Sequence, residues 1–186
     1  MQDRVARLCG IVLMVLSLAG DAWAETRSWL SPDGRSLTLY PGERLVLRLG
    51  PGAVINVISA QRVDPAAALP PKPGSRTADA PLTMADPDTV TLLLGGDAAQ
   101  PVLRFESGLS LAFDYRATLR RGDADQPTSV CTVLPLLAGF EIWPYPVASV
   151  TLGGFATRST NEVTCSTPPK METTAPWPST PKPASS

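Results

Sequence analysis

The stretch Leu109-Ser110-Leu111-Ala112-Phe113-Asp114-Tyr115-Arg116-Ala117-Thr118-Leu119-Arg120 alternates in character over twelve residues. Leu109, Leu111, Phe113, Tyr115, Ala117 and Leu119 fall on one side, and mostly polar residues fall on the other. A period of two is the signature of a half-buried β-strand, because successive side chains point to opposite faces. The polar run over 121–127 predicts a turn, and 128–134 predicts a returning strand that carries Cys131.

The same pattern recurs on both sides. Leu37 to Tyr40 and Leu45 to Leu49 alternate around Pro41-Gly42-Glu43, which predicts an opening hairpin. Further strands are predicted over 54–60, 89–94, 102–105, 138–143, 148–152 and 159–165. The chain has 20 prolines, all beyond residue 24, and they interrupt every helical candidate there. Eight or nine short strands with regular turns indicate an all-β fold, an antiparallel β-sandwich with an immunoglobulin-like arrangement as first choice. That choice is an analogy of architecture and says nothing about function.

Residues 1–24 read as a secretory signal peptide. Arg4 and Arg7 precede the apolar run Leu8 to Ala19, and Ala22-Trp23-Ala24 predicts cleavage between Ala24 and Glu25. The run would reach roughly 18 Å as a helix, short of a ~30 Å hydrocarbon core, so no stable membrane span is expected after cleavage. The folded domain is expected over 25–166, with a long proline-rich loop at 64–87. A disordered, Pro/Ser/Thr-rich tail is expected at 167–186, where six prolines accompany a single aromatic residue, Trp177.

Cys131 and Cys165 are the two cysteines left after cleavage. In an oxidising compartment an even pair predicts one structural disulfide, and no Cys-x-x-Cys spacing suggests redox chemistry. Together with the signal peptide this predicts an exported protein, periplasmic or secreted.

Composition removes several chemistries. The chain has no histidine, which excludes Ser-His and Cys-His nucleophile systems and the usual zinc sites. A net charge of −1 argues against a nucleic-acid binder. The only lysines, Lys72, Lys170 and Lys182, lie in proline-rich segments, which disfavours Ser-Lys catalysis. Glu106, Asp114 and Glu141 could supply carboxylate catalysis, but exposed strand carboxylates are common. Asp86-Pro87-Asp88 and Asp123-Ala124-Asp125 read as turns rather than calcium loops. Arg121-Gly122-Asp123 spells an integrin-type tripeptide, but a hairpin tip needs Gly and Asp anyway. Neither the Gly95-Gly96 nor the Gly153-Gly154 pair has phosphate-loop spacing, and no cofactor is expected.

The most distinctive segment is Phe140-Glu141-Ile142-Trp143-Pro144-Tyr145-Pro146. Its prolines bias Trp143 and Tyr145 to extended conformations. Trp143 and Tyr145 are therefore candidates for a binding surface, a rigid aromatic ledge for a protein, peptide or glycan partner in the envelope. The favoured reading is a stiff crossing between sheets, with Trp143 largely buried near the disulfide and Tyr145 partly exposed. The expected role is a non-enzymatic binding, accessory or structural module. The rivals are a small carboxylate-dependent hydrolase of cell-wall or sugar substrates and a loop-presenting protease inhibitor.

Overall fold

A computed structural model describes residues 27–70 and 85–167. The expected signal peptide with its Ala24–Glu25 cleavage site, most of the expected 64–87 loop and the expected tail beyond Thr167 lie outside the described residues.

The described chain is an antiparallel β-sandwich of two five-stranded sheets. Its strands are β1 (Trp29–Leu30), β2 (Ser36–Leu39), β3 (Glu43–Leu49), β4 (Ile55–Arg62), β5 (Val90–Asp97), β6 (Gln100–Ser107), β7 (Ala112–Arg121), β8 (Ala124–Thr128), β9 (Ala138–Ile142) and β10 (Ser149–Arg158). One sheet has the order β1-β2-β10-β7-β8 and the other β4-β3-β5-β6-β9. Four consecutive strands, β3 to β6, stay in one sheet, whereas immunoglobulin sandwiches pass pairs of strands alternately between sheets. The likeness to that arrangement therefore stops at two packed antiparallel sheets.

The core lies between the sheets. Phe113, Tyr115, Ala117 and Leu119 of β7 are buried, as their alternation requires. They meet Leu45, Leu47, Leu92, Leu94 and Phe105 within one apolar cluster. Phe105 and Tyr115 pack with ring centroids 4.8 Å apart across the two sheets. Leu111 is exposed because β7 begins only at Ala112.

Four expectations need correction. The Leu37–Tyr40 and Leu45–Leu49 runs are not a hairpin, since β2 pairs with β1 and β10 while β3 pairs with β4 and β5. Pro41-Gly42 carries the chain from one sheet to the other, and the Gly42 N–H donates to the Leu94 carbonyl of β5. Both runs bury alternate leucines, so the pattern looks the same whether they pair or face each other.

The turn after β7 is tighter than the predicted 121–127. Arg121 pairs with Ala124, leaving only Gly122 and Asp123 at the tip. Gly122 has φ +56°, as the first central position of a type II′ turn demands. The polar residues 124–128 then pair as β8, while 129–134 forms only isolated bridges at Cys131 and Val133.

The separate strands predicted at 148–152 and 159–165 are replaced by one strand, β10, which runs to Arg158 through a register shift after Gly153. The loop expected from residue 64 starts as a docked 3-10 turn, Pro65–Ala68, capped by the Asp64 carboxylate at the Ala66 N–H. Ala68 is fully buried against Leu93 and Val102. Gly95 permits this approach, because a Cβ there would collide with the Pro65 backbone. Among the described residues no helix is long and apolar enough to cross a membrane.

Candidate binding surface

The 140–146 segment divides by side. Trp143 is 4% exposed and sits in the main core, with its indole Nε1 donating to the Thr128 hydroxyl at 3.2 Å. Tyr145 is half-buried and packs against that core, while Pro144 and Pro146 are exposed. The Arg121 guanidinium lies 3.9 Å above the Tyr145 ring. Trp143 and Tyr145 therefore do not form an open ledge. The Arg121-Gly122-Asp123 tip has its arginine on Tyr145 and in a 3.1 Å bond to Gln126.

Each of the three carboxylates has a structural partner. Glu106 pairs with Arg104 at 2.7 Å. Asp114 accepts from the Thr132 hydroxyl at 2.7 Å and lies 3.4 Å from Arg158. Glu141 Oε1 accepts from the Tyr115 hydroxyl at 2.9 Å and from the Cys131 N–H at 3.0 Å. Burial raises the Tyr115 hydroxyl far above the usual tyrosine range, and the adjacent Glu141 carboxylate pushes it the same way. Tyr115 is thus held as a hydrogen-bond donor to Glu141.

Cys131 and Cys165 are joined by a disulfide. It is flanked by backbone bonds from Thr132 to Thr164 at 2.9 Å and from Ser166 to Val130 at 2.8 Å. The bridge fastens the chain after β10 alongside the segment after β8. A cavity of about 220 Å³ beside it is lined in part by Tyr115, Glu141, Leu137 and Val163. Asp86-Pro87-Asp88 forms a turn, with the Thr89 N–H and hydroxyl both donating to the Asp86 carbonyl. The three lysines lie outside the described residues.

A different surface stands open. β4 (INVISAQR) is an edge strand, and six of its eight residues, Asn56 to Gln61, are exposed. Two bonds at the ends of the β3–β4 ladder set its phase. The Gly50 N–H donates to Val54 at 2.7 Å, and the Val63 N–H donates to Gly42 at 3.0 Å. Antiparallel pairs alternate between exchanging both bonds and exchanging none. Counting inward from either end makes Val57 (opposite Leu47) and Ala60 (opposite Leu45) non-exchanging pairs. Their N–H and C=O groups point away from β3, and no described backbone group meets them. Ile58 is the extra residue of a bulge between them.

Each edge carries a feature that discourages pairing, on β4 the bulge at Ile58. β1 is two residues long, and β8 contains Pro127. β9 is approached by Cys131, whose N–H is held by the Glu141 carboxylate. On β4, Val57 and Ile58 are 39% and 53% exposed. Sequence reasoning found the strand at 54–60 but not its position at the edge. The signal available was an uncharged run, Val54 to Gln61, eight residues long.

A buried carboxylate was also missed. Glu43 is fully buried where the chain crosses between the sheets. It accepts from the Arg27 N–H, from the Ser28 hydroxyl at 2.7 Å and from the Tyr40 N–H at 3.0 Å. Arg62 lies 3.7 Å away. This is a structural anchor for residues 27–28, not an open site. No family model, no curated protein and no solved structure matches this chain.

Proposed function

We propose that this chain is an exported, non-enzymatic binding module that takes up an extended partner segment as an added strand along β4. The observation that carries this reading is the backbone of Val57 and Ala60, which no described backbone group meets, on a long edge strand with apolar exposure. Strand addition draws affinity from main-chain hydrogen bonds and specificity from alternate side chains. The Cys131–Cys165 disulfide supports a location outside the cytoplasm, in the periplasm or the extracellular space. The hydrolase alternative lacks support, since Glu106, Asp114 and Glu141 are each held by separate partners. The inhibitor alternative needs a protruding Trp143, and that side chain is core.

The test uses one substitution. Proline at residue 60 removes an N–H that β3 does not use, so the sheet keeps its ladder while the free edge loses a donor. Proteins captured from the native envelope fraction are compared between the wild-type chain and Ala60→Pro. Partners retained by the wild type and lost by a folded Ala60→Pro variant support the reading. Identical partners on both would refute it.

A further inference from the structure

The outer face beside β4 carries a charge pattern that specifies its occupant. Arg44 and Arg48 of β3 lie on the side of the sheet opposite the buried Leu45 and Leu47. Arg44 stands in register with Gln61, and Arg48 with Asn56. Among the described residues neither arginine forms an ion pair, in contrast to Arg62, Arg104, Arg120 and Arg158. No acidic residue occurs anywhere in β4. Among the described residues the edge is therefore bordered by two positive charges that form no ion pair.

We infer that the segment taken up on β4 is acidic, with apolar residues alternating with residues that include two carboxylates four positions apart. The inference rests on the strand-addition reading above. An added strand would lie about 10 Å from β3, two inter-strand spacings away. An arginine reaching from β3 and a glutamate reaching from the new strand together span that gap. Arg44 and Arg48 are four residues apart, roughly 13 Å along a strand, which sets the carboxylate spacing. The inward positions of the new strand would cover Val57 and Ala60, and apolar side chains suit that role.

The same pattern argues against two other occupants. Two copies joined through β4 would gather Arg44 and Arg48 of both chains on one face, and like charges there disfavour pairing. This chain's own proline-rich segments are also unsuitable. Residues 71–84 carry Lys72 and Arg76 against Asp79, and residues 167–186 carry Lys170 and Lys182 against Glu172. Proline in either would also remove donors from the new ladder.

The experiment uses three nine-residue peptides with valine at even positions and threonine at odd ones, carrying glutamate, glutamine or lysine at positions three and seven. Each is titrated against the full mature chain, with affinity read by fluorescence anisotropy and amide protection by hydrogen exchange. The glutamate peptide should bind about fivefold more tightly than the glutamine peptide, as two partly exposed ion pairs allow. The lysine peptide should bind weakest, and Val57 and Ala60 amides should become protected. The glutamate advantage should vanish in Arg44→Gln/Arg48→Gln, whose fold is checked by circular dichroism. Equal affinity with protected Val57 and Ala60 amides would overturn the acidic specificity and leave strand addition standing. A glutamate preference that survives the double substitution would also overturn it. No protection of Val57 and Ala60 by any peptide, or self-association through β4 without peptide, would overturn both readings.

Discussion

The hydroxyl of buried Tyr115 donates to Glu141 Oε1 at 2.9 Å, joining the centre of β7 to the edge strand β9 of the opposite sheet. The same oxygen receives the Cys131 N–H, so one carboxylate holds both the sheet contact and the start of the disulfide segment. Because the Tyr115 hydroxyl is held well above its ordinary value of ~10, the folded state keeps its proton where the unfolded state releases it. Its contribution is fully present below pH ~10 and falls as pH rises above that value, by at most about 1.4 kcal/mol per pH unit. Denaturant titrations at pH 8 to 11 should show this fall. It should be weaker in Tyr115→Phe, and an equal slope in the two proteins would contradict the assignment.

Glu43 gives a second prediction. Glu43→Ala strands the Ser28, Arg27 and Tyr40 donors and leaves Arg62 without its carboxylate. A loss of about 3 kcal/mol is expected, at the lower end for a buried pair because Arg62 is partly exposed. Ser28→Ala should cost only about 1 kcal/mol. Urea unfolding of the two variants measures the difference, and equal costs would show that Glu43 is not the hub.

Proline scanning tests the phase of the β3–β4 ladder. Ala60→Pro should cost about 1 kcal/mol or less, since its N–H faces solvent. Gln61→Pro should cost about 3 kcal/mol, since that residue exchanges bonds with Arg44. Thermal unfolding separates them, and the reverse order would mean that the free edge is assigned out of phase.

The disulfide closes a loop with a sequence separation of 34. Chain-entropy arithmetic gives up to about 4 kcal/mol for such a loop. The double variant Cys131→Ser/Cys165→Ser should lose stability on that scale, and thiol labelling of an unreduced chain begun at Glu25, which lacks Cys9, should find no free cysteine. Two labelled thiols per chain would contradict the bridge.

The aromatic segment should split in the same way. Trp143→Ala should remove about 3–5 kcal/mol, as truncation of a large core side chain does. Tyr145→Ala should cost only about 1 kcal/mol, mainly the stacking of Arg121. Acrylamide quenching in a Trp29→Phe chain begun at Glu25 and truncated after Ser166, which also removes Trp23 and Trp177, isolates Trp143. Strong quenching there would place the indole at the surface.

Local pattern alone was sufficient for the class of fold. Phe113 to Leu119 alternate, prolines exclude helices, and the result is strands with one inward face each. Gly122 marked a turn, though not its length, because a two-residue tip and a longer loop share the same polar residues. Partner choice was not legible. Leu39 and Leu45 are both fully buried, yet they belong to opposite sheets, and alternation records which face is buried, not which strand lies alongside. The same limit hid the β4 edge. The Val54–Gln61 run reads equally well as a central strand, and only the sheet order leaves Val57 and Ala60 without a neighbouring strand among the described residues. Glu43 looked like a turn residue beside Pro41-Gly42. Its burial follows from donors at residues 27, 28 and 40 and from Arg62 on β4, brought together only when the sheets pack. Strand character is a property of neighbouring residues along the chain. Edges, crossings and buried charges depend on contacts between distant residues, and those exist only once the sandwich has formed.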